Sequence, residues 1–237
     1  MTPPIPMRPL PGTTYDPFYP EDDGRPKDET DFHSEARIWL RDALKDYFAA
    51  AGRSDVYVSS RLMLYYEQGN PAGRCDPDIL VAKGVSNHKR MTFRVWEEGV
   101  TPQVLFEISS SSSWREDVGD KRELYARLGV VEYFLFDPEG DYLAPRLQGF
   151  RLENGKYVPL IPAPDGGLTS MELGLRLTAE GYMLRLRHLQ KGAVVLTRSE
   201  RANKESARAD QERRRADELA KEVARLQALL EKYSRNE

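Results

Sequence analysis

A single cysteine, Cys75, is all this 237-residue chain offers to sulfur chemistry. An internal disulfide framework is therefore excluded, as are cysteine-cluster zinc sites, in keeping with a reducing cytoplasm. Positive charge is not in excess either. The formal net charge is −3, so the chain as a whole exerts no pull on nucleic acid, and any such binding must rest on a local basic patch. No run reaches the ~18 apolar residues of a membrane span, and the proline-rich opening MTPPIPMRPLPG lacks the apolar core of a secretory signal. A cytoplasmic protein with no membrane partner is expected. Glycine and proline disappear from residue 198 onward, which leaves nothing there to break a long helix.

What is present sorts into three regions. Residues 1–28 hold many prolines and a turn-like stretch at residues 21–24, the mark of a weakly ordered arm able to drape over a domain. Residues 29–197 alternate helical and strand patterns, enough for one sizeable domain that should carry the chemistry. In residues 198–237 charges of both signs are dense, and Ala216, Leu219, Val223, Leu226, Leu230 and Tyr233 recur at steps of three and four. That spacing is a heptad seam.

Within the domain, Phe32, Ala36, Trp39, Leu40, Ala43, Leu44 and Tyr47 form a helical stripe that Gly52 stops. Residues 56–66 read as one strand, and the GNPAG turn leads into a second at residues 78–81. Residues 104–108 form a third. The serine-rich run after it leads to a helix ending near Gly129, and residues 131–136 supply a continuous apolar strand stopped by Asp137, Pro138 and Gly140. The order is helix, three strands, helix, strand, an α/β arrangement.

Three charged residues stand inside these apolar segments: Asp78 at the mouth of CDPDILV, Glu107 within VLFEIS and Lys121 in DKRELYARLG. The period of two puts Val104, Phe106 and Ile108 on one strand face and Leu105, Glu107 and Ser109 on the other. In the next helix Val118, Lys121, Leu124, Tyr125 and Leu128 share a face, so Lys121 lies on the packing side. Its ammonium either snorkels past the core or reaches a carboxylate cluster. Charges so embedded are costly to bury without a partner, and two carboxylates converging on a divalent cation supply one. Each residue also has a bland reading. Asp78 could end a turn after Pro77, Glu107 could face solvent, and Lys121 could simply pair with Asp117.

The ordered set of Pro77 and Asp78, an acid in an apolar strand and then a lysine resembles the PD-(D/E)XK nuclease superfamily. There the lysine usually stands two residues after the second acid, where this chain has Ser109. With the lysine moved to the next helix, the chain is similar to the Uma-type restriction endonucleases. The run EISSSSSWREDVGDKRELYARLGVVEYFLFDP carries most of that likeness, and VWEEGVTP, LQGFRL and ELGLRL extend it to roughly residues 30–195. The resemblance implies a restriction-endonuclease-like core, a mixed sheet flanked by helices. It also implies a magnesium-dependent endonuclease, manganese being an alternative, acting on phosphodiesters with DNA as the expected partner. Asp78, Glu107 and Lys121 are its expected catalytic residues; Asp78, Glu107 and the backbone carbonyl of Ile108 are its expected metal ligands.

Further candidates surround this trio. Ser109 and Glu35 are candidate auxiliary residues, Glu35 because related nucleases sometimes place an acid on the first helix; Glu35 and His33 otherwise read as ordinary helix surface. Lys89, Arg90 and Arg94, between the second and third strands, are candidate phosphate contacts, with a plain exposed basic loop as the competing reading. The terminal seam predicts a coiled coil and a homo-oligomer; folding back of a single amphipathic helix is the other possibility. A second function class stays open as well: a non-catalytic interaction or scaffold protein that keeps this core and recruits partners through the terminal helix.

Overall fold

The structure is a computed structural model that describes residues 16–21 and 30–234, with side chains described as far as Gln227. Most of the proline-rich arm, and the side chains of Leu230 and Tyr233 in the proposed seam, lie outside the described residues. The chain divides into two compact units, the boundary falling between Val195 and Leu196 in sequence.

The first unit opens with α1 (Asp31–Ala50) and continues through β1 (Val56–Ser60), β2 (Leu64–Tyr65), β3 (Arg74–Cys75), β4 (Ile79–Lys83), β5 (Phe93–Arg94) and α2 (Val95–Glu98). Then come β6 (Val104–Ile108), α3 (Trp114–Val118), α4 (Asp120–Leu128), β7 (Glu132–Phe136), β8 (Leu147–Glu153), β9 (Lys156–Pro159), β10 (Leu168–Ser170), β11 (Leu175–Glu180) and β12 (Met183–His188). The central sheet has six strands in the order β1-β4-β6-β7-β8-β9. All its pairs are antiparallel except β6–β7. A parallel pair needs a crossover, and α3 with α4 provides it. The result is the expected α/β architecture, a mixed sheet flanked by helices.

Alternation along the central strands builds two cores. Val104, Phe106 and Ile108 face α1 and the β10–β12 sheet, together with Ile79, Val81, Phe134 and Phe136. Leu105, Leu80, Tyr133 and Leu135 face the other way, onto Tyr125 of α4 and onto Leu64 and Phe93 of the small β3-β2-β5 sheet. The faces of the third predicted strand are therefore as the period of two assigns them. α4 ends at Gly129, whose φ of 80° is the left-handed cap that glycine adopts most cheaply.

Two sequence expectations need correction. Residues 56–66 are not one strand: Arg61 takes a φ of 50°, its N–H donates to the Asp78 carbonyl (3.2 Å), and the chain passes from β1 in the central sheet to β2 in the small one. The polar stretch Ser59, Ser60 and Arg61 inside that Val-, Leu- and Tyr-rich run is where the strand ends. The phase of α1 also differs. Thr30 caps the helix by accepting from the His33 N–H (3.2 Å), and the buried face starts at His33 and includes Arg37, whereas Phe32 is half exposed against Tyr182.

The described part of the arm is anchored to the domain. Tyr19 packs on Tyr65 and Trp96, its hydroxyl accepts from the Gly69 N–H (2.8 Å), and the Tyr65 hydroxyl donates to the Pro20 carbonyl (2.6 Å). The second unit is α5 (Arg198–Ser234). Thr197 and Glu200 open it with reciprocal hydrogen bonds, each side chain accepting from the other's N–H (3.1 and 2.9 Å), a capping box. Leu219, Val223 and Leu226 are exposed in the single chain.

Candidate active site

The register of β4 against β6 places Ile79 opposite Phe106, so Asp78 and Glu107 stand opposite each other where one strand begins and the other ends. The backbone ties them further. The Ile108 N–H donates to Asp78 Oδ2 (2.8 Å), and the Asp78 N–H donates to Glu107 Oε2 (3.4 Å). In extended chain the N–H and C=O of one residue point to the same side, so the Ile108 carbonyl lies on the Asp78 edge of β6.

The crossover brings the rest. Asp117 lies on α3, and Lys121 and Tyr125, one helical turn apart, lie on α4. Lys121 Nζ lies 3.1 Å from Glu107 Oε2 and 2.9 Å from Asp117 Oδ1, and the Tyr125 hydroxyl donates to Glu107 Oε1 (2.6 Å). Lys121 thus joins the carboxylate cluster and pairs with Asp117 at once; the two readings of it were not exclusive. Ser109 donates to Asp117 Oδ2 (3.1 Å), as does Ser113 (2.9 Å). From the opposite side α1 presents His33, whose Nε2 is 3.6 Å from Asp78 Oδ2.

His33 is therefore not helix surface. It is buried beside the acid, and hydrophobicity alone could not show it because a histidine facing a carboxylate scores as polar. Glu35, two positions on, is exposed. Asp117 is the other site member that sequence reasoning undervalued, naming it only as a partner for Lys121; the signal available was its place four residues before that lysine. The basic loop is also less open than the sequence suggests. Arg90 forks onto Glu98 (2.5 and 2.8 Å) and lies over the Tyr57 ring, with its side chain only 3% exposed. Arg94 pairs with Glu97 and Asp16 over Tyr19, and Lys89 is exposed.

Burial dominates the electrostatics. It pushes the Glu107 carboxyl up to about 8, Lys121 opposing and the Asp117 and Asp78 charges adding to the rise. Asp117 is raised by burial too, against the pull of Lys121. Burial also disfavours the Asp78 anion, but the His33 contact, Lys121 and the Ile108 N–H outweigh it and hold the pKa below the usual value. Burial would depress Lys121, yet the Glu107, Asp117 and Asp78 carboxylates keep it above the ordinary lysine range.

Charge and donor type together fit a divalent cation. The carboxyl groups of Asp78, Glu107 and Asp117 converge on the Lys121 ammonium, so acidic groups outnumber the positive charge they face there among the described residues. Among the described residues no three His, Cys, Asp or Glu side chains form a ready metal cage. Magnesium does not need one, since a pair of carboxylates plus waters and substrate phosphate suffices.

Comparison with known proteins gives the family. A family model, Uma2, described as "Putative restriction endonuclease", matches residues 19–184. Among solved structures, the crystal structure of a putative nuclease belonging to DUF820 from Anabaena variabilis is similar at 14% sequence identity and a TM-score of 0.45, covering 61% of this chain and 75% of that one. No curated protein matches the chain.

Proposed function

Since the chain belongs to the Uma2 family of putative restriction endonucleases, we propose that its site hydrolyses phosphodiester bonds in DNA with the help of a divalent cation, magnesium or manganese. The observation that carries this reading is the direct opposition of Asp78 and Glu107 on adjacent strands, with the Lys121 ammonium 3.1 Å from Glu107.

In this reading Asp78, Glu107 and the Ile108 carbonyl hold the ion. When bound, it supplies a Lewis acid that polarises the phosphate and acidifies water. The protein's own groups do the rest. Tyr125 fixes one oxygen of Glu107 and leaves the other turned toward Asp78 and Lys121. A lysine ammonium has three N–H donors; Lys121 donates to Asp117 and forms an ion pair with Glu107. Its remaining donor capacity can orient the attacking water or meet the charge that builds on the phosphoryl oxygens in the transition state. His33 and the Ile108 N–H keep Asp78 ionised and aimed at the same point. The reading extends to assembly, with α5 pairing with a second copy through Leu219, Val223 and Leu226.

A melting experiment tests the cation. Magnesium or manganese should raise the Tm of the full chain by an amount set by ion concentration relative to affinity, and Asp78→Asn with Glu107→Gln should erase the gain. An unchanged cation response in the double variant would remove both acids from the metal assignment.

A further inference from the structure

Lys121 reaches the site on a flexible four-carbon stem from a helix that is itself short, and something must fix where its ammonium rests. A single carboxylate would not do so, because a compact ammonium can swing around one partner. Asp117 supplies the second anchor, 2.9 Å away, and its own position is over-determined. Oδ1 takes the lysine, Oδ2 accepts from both Ser109 and Ser113, and its backbone carbonyl accepts from the Tyr133 hydroxyl (2.9 Å). The side chain is 1% exposed. Both of its oxygens are therefore engaged within the protein, which leaves it poorly placed to bind a cation or touch substrate.

We propose that Asp117, clamped by the Ser109 and Ser113 hydroxyls, is the positioning residue that holds Lys121 in its working place. This rests on the nuclease reading. The serine that follows the second acid, Ser109, then has a definite task, since it buttresses the lysine's anchor from the strand while Ser113 does so from the start of α3. A merely structural ion pair would contribute stability without acting through Lys121, and the two roles separate experimentally.

The test is a double-mutant cycle with the full chain cleaving duplex DNA in magnesium: wild type, Asp117→Asn, Lys121→Met and the combination. Acting through the lysine, Asp117→Asn should lower kcat at least about tenfold while KM changes less than about twofold. In the Lys121→Met background the same change should cost less than about twofold. Equal losses in the two backgrounds, or wild-type kcat for Asp117→Asn, would overturn the proposal. If Asp117→Asn does not fold, the Ser109→Ala, Ser113→Ala variant keeps the carboxylate and should show the same pattern, with the same outcomes deciding. A readout independent of cleavage is the Lys121 ammonium resonance, identified by its absence in Lys121→Met. It should be protected from exchange in wild type and lost in Asp117→Asn; its persistence there would overturn the proposal even if the wild type cleaves nothing, a result that would by itself remove only the nuclease reading.

Discussion

At the scale of single residues, the site is a balance of buried charges, and its members cannot be exchanged one at a time without cost. Lys121→Met removes the only ammonium that, among the described residues, faces Glu107 and Asp117, and leaves both carboxyl groups buried without it. Breaking such a pair typically costs about 3–5 kcal/mol, so the metal-free variant should unfold at visibly lower denaturant than wild type, read by chemical denaturation. The acid titrations give a second prediction. The Glu107 carboxyl titrates near 8 in the folded chain against an ordinary 4.5, so between those values the folded state holds a proton that the unfolded state has released. Stability of the metal-free protein must then fall as pH rises through that window, and the upward shift of Asp117 acts in the same sense. The downward shift of Asp78 contributes stability that is lost only below its ordinary 3.8, outside the window. Calorimetric melting from pH 5 to pH 8 should show a declining Tm in wild type and a flatter profile in Glu107→Gln; parallel profiles would contradict the assignment.

At the scale of elements, packing around β8 gives a prediction that concerns the fold alone. A Cβ on Gly149 would lie 2.8 Å from the Phe134 ring and 2.9 Å from Leu168. Gly149→Ala should therefore destabilise the domain by about 1–3 kcal/mol, the usual range for overpacking, measured as a lower denaturation midpoint. The elements also show what a sequence can and cannot reveal. β6 was legible because its two faces meet different cores, so alternation fixed the side on which Glu107 points. α4 was legible because its apolar stripe ends at a glycine. The hinge at Arg61 was not, since Val and Tyr before it and Leu and Tyr after it read as one strand despite the polar Ser59, Ser60 and Arg61 between them, and the left-handed φ of Arg61 has no signature in residue type. His33 was misread for a related reason: the stripe was phased on Phe32, whereas α1 turns a histidine and an arginine inward, toward Asp78 just before β4 and Ser60 of β1. Of the charged site, the two acids and the lysine stood out as charges inside apolar segments and the Lys121–Asp117 pair was open as an alternative, but the clamp of Ser109 and Ser113 on Asp117 needed three dimensions.

At the scale of the whole molecule, α5 displays Leu219, Val223 and Leu226 to solvent in the single chain, and pairing with a second copy would cover them. Leu219→Asp with Leu226→Asp puts carboxylates into that seam at a cost of several kcal/mol of association as an order of magnitude. Light scattering should then report a fall from oligomer to monomer with the first unit still folded; a monomeric wild type would refute self-association. None of the described helices is long and apolar enough to cross a membrane. The central claim, that Asp78 and Glu107 together run a cation-dependent hydrolysis, is tested most directly by incubating the full chain with duplex DNA in magnesium, in manganese and in chelator. Wild type should cleave only with the metals, and Asp78→Asn and Glu107→Gln should each lose about 10²-fold or more in rate. Cleavage by Glu107→Gln at the wild-type rate, or no cleavage by wild type in either metal, would contradict it.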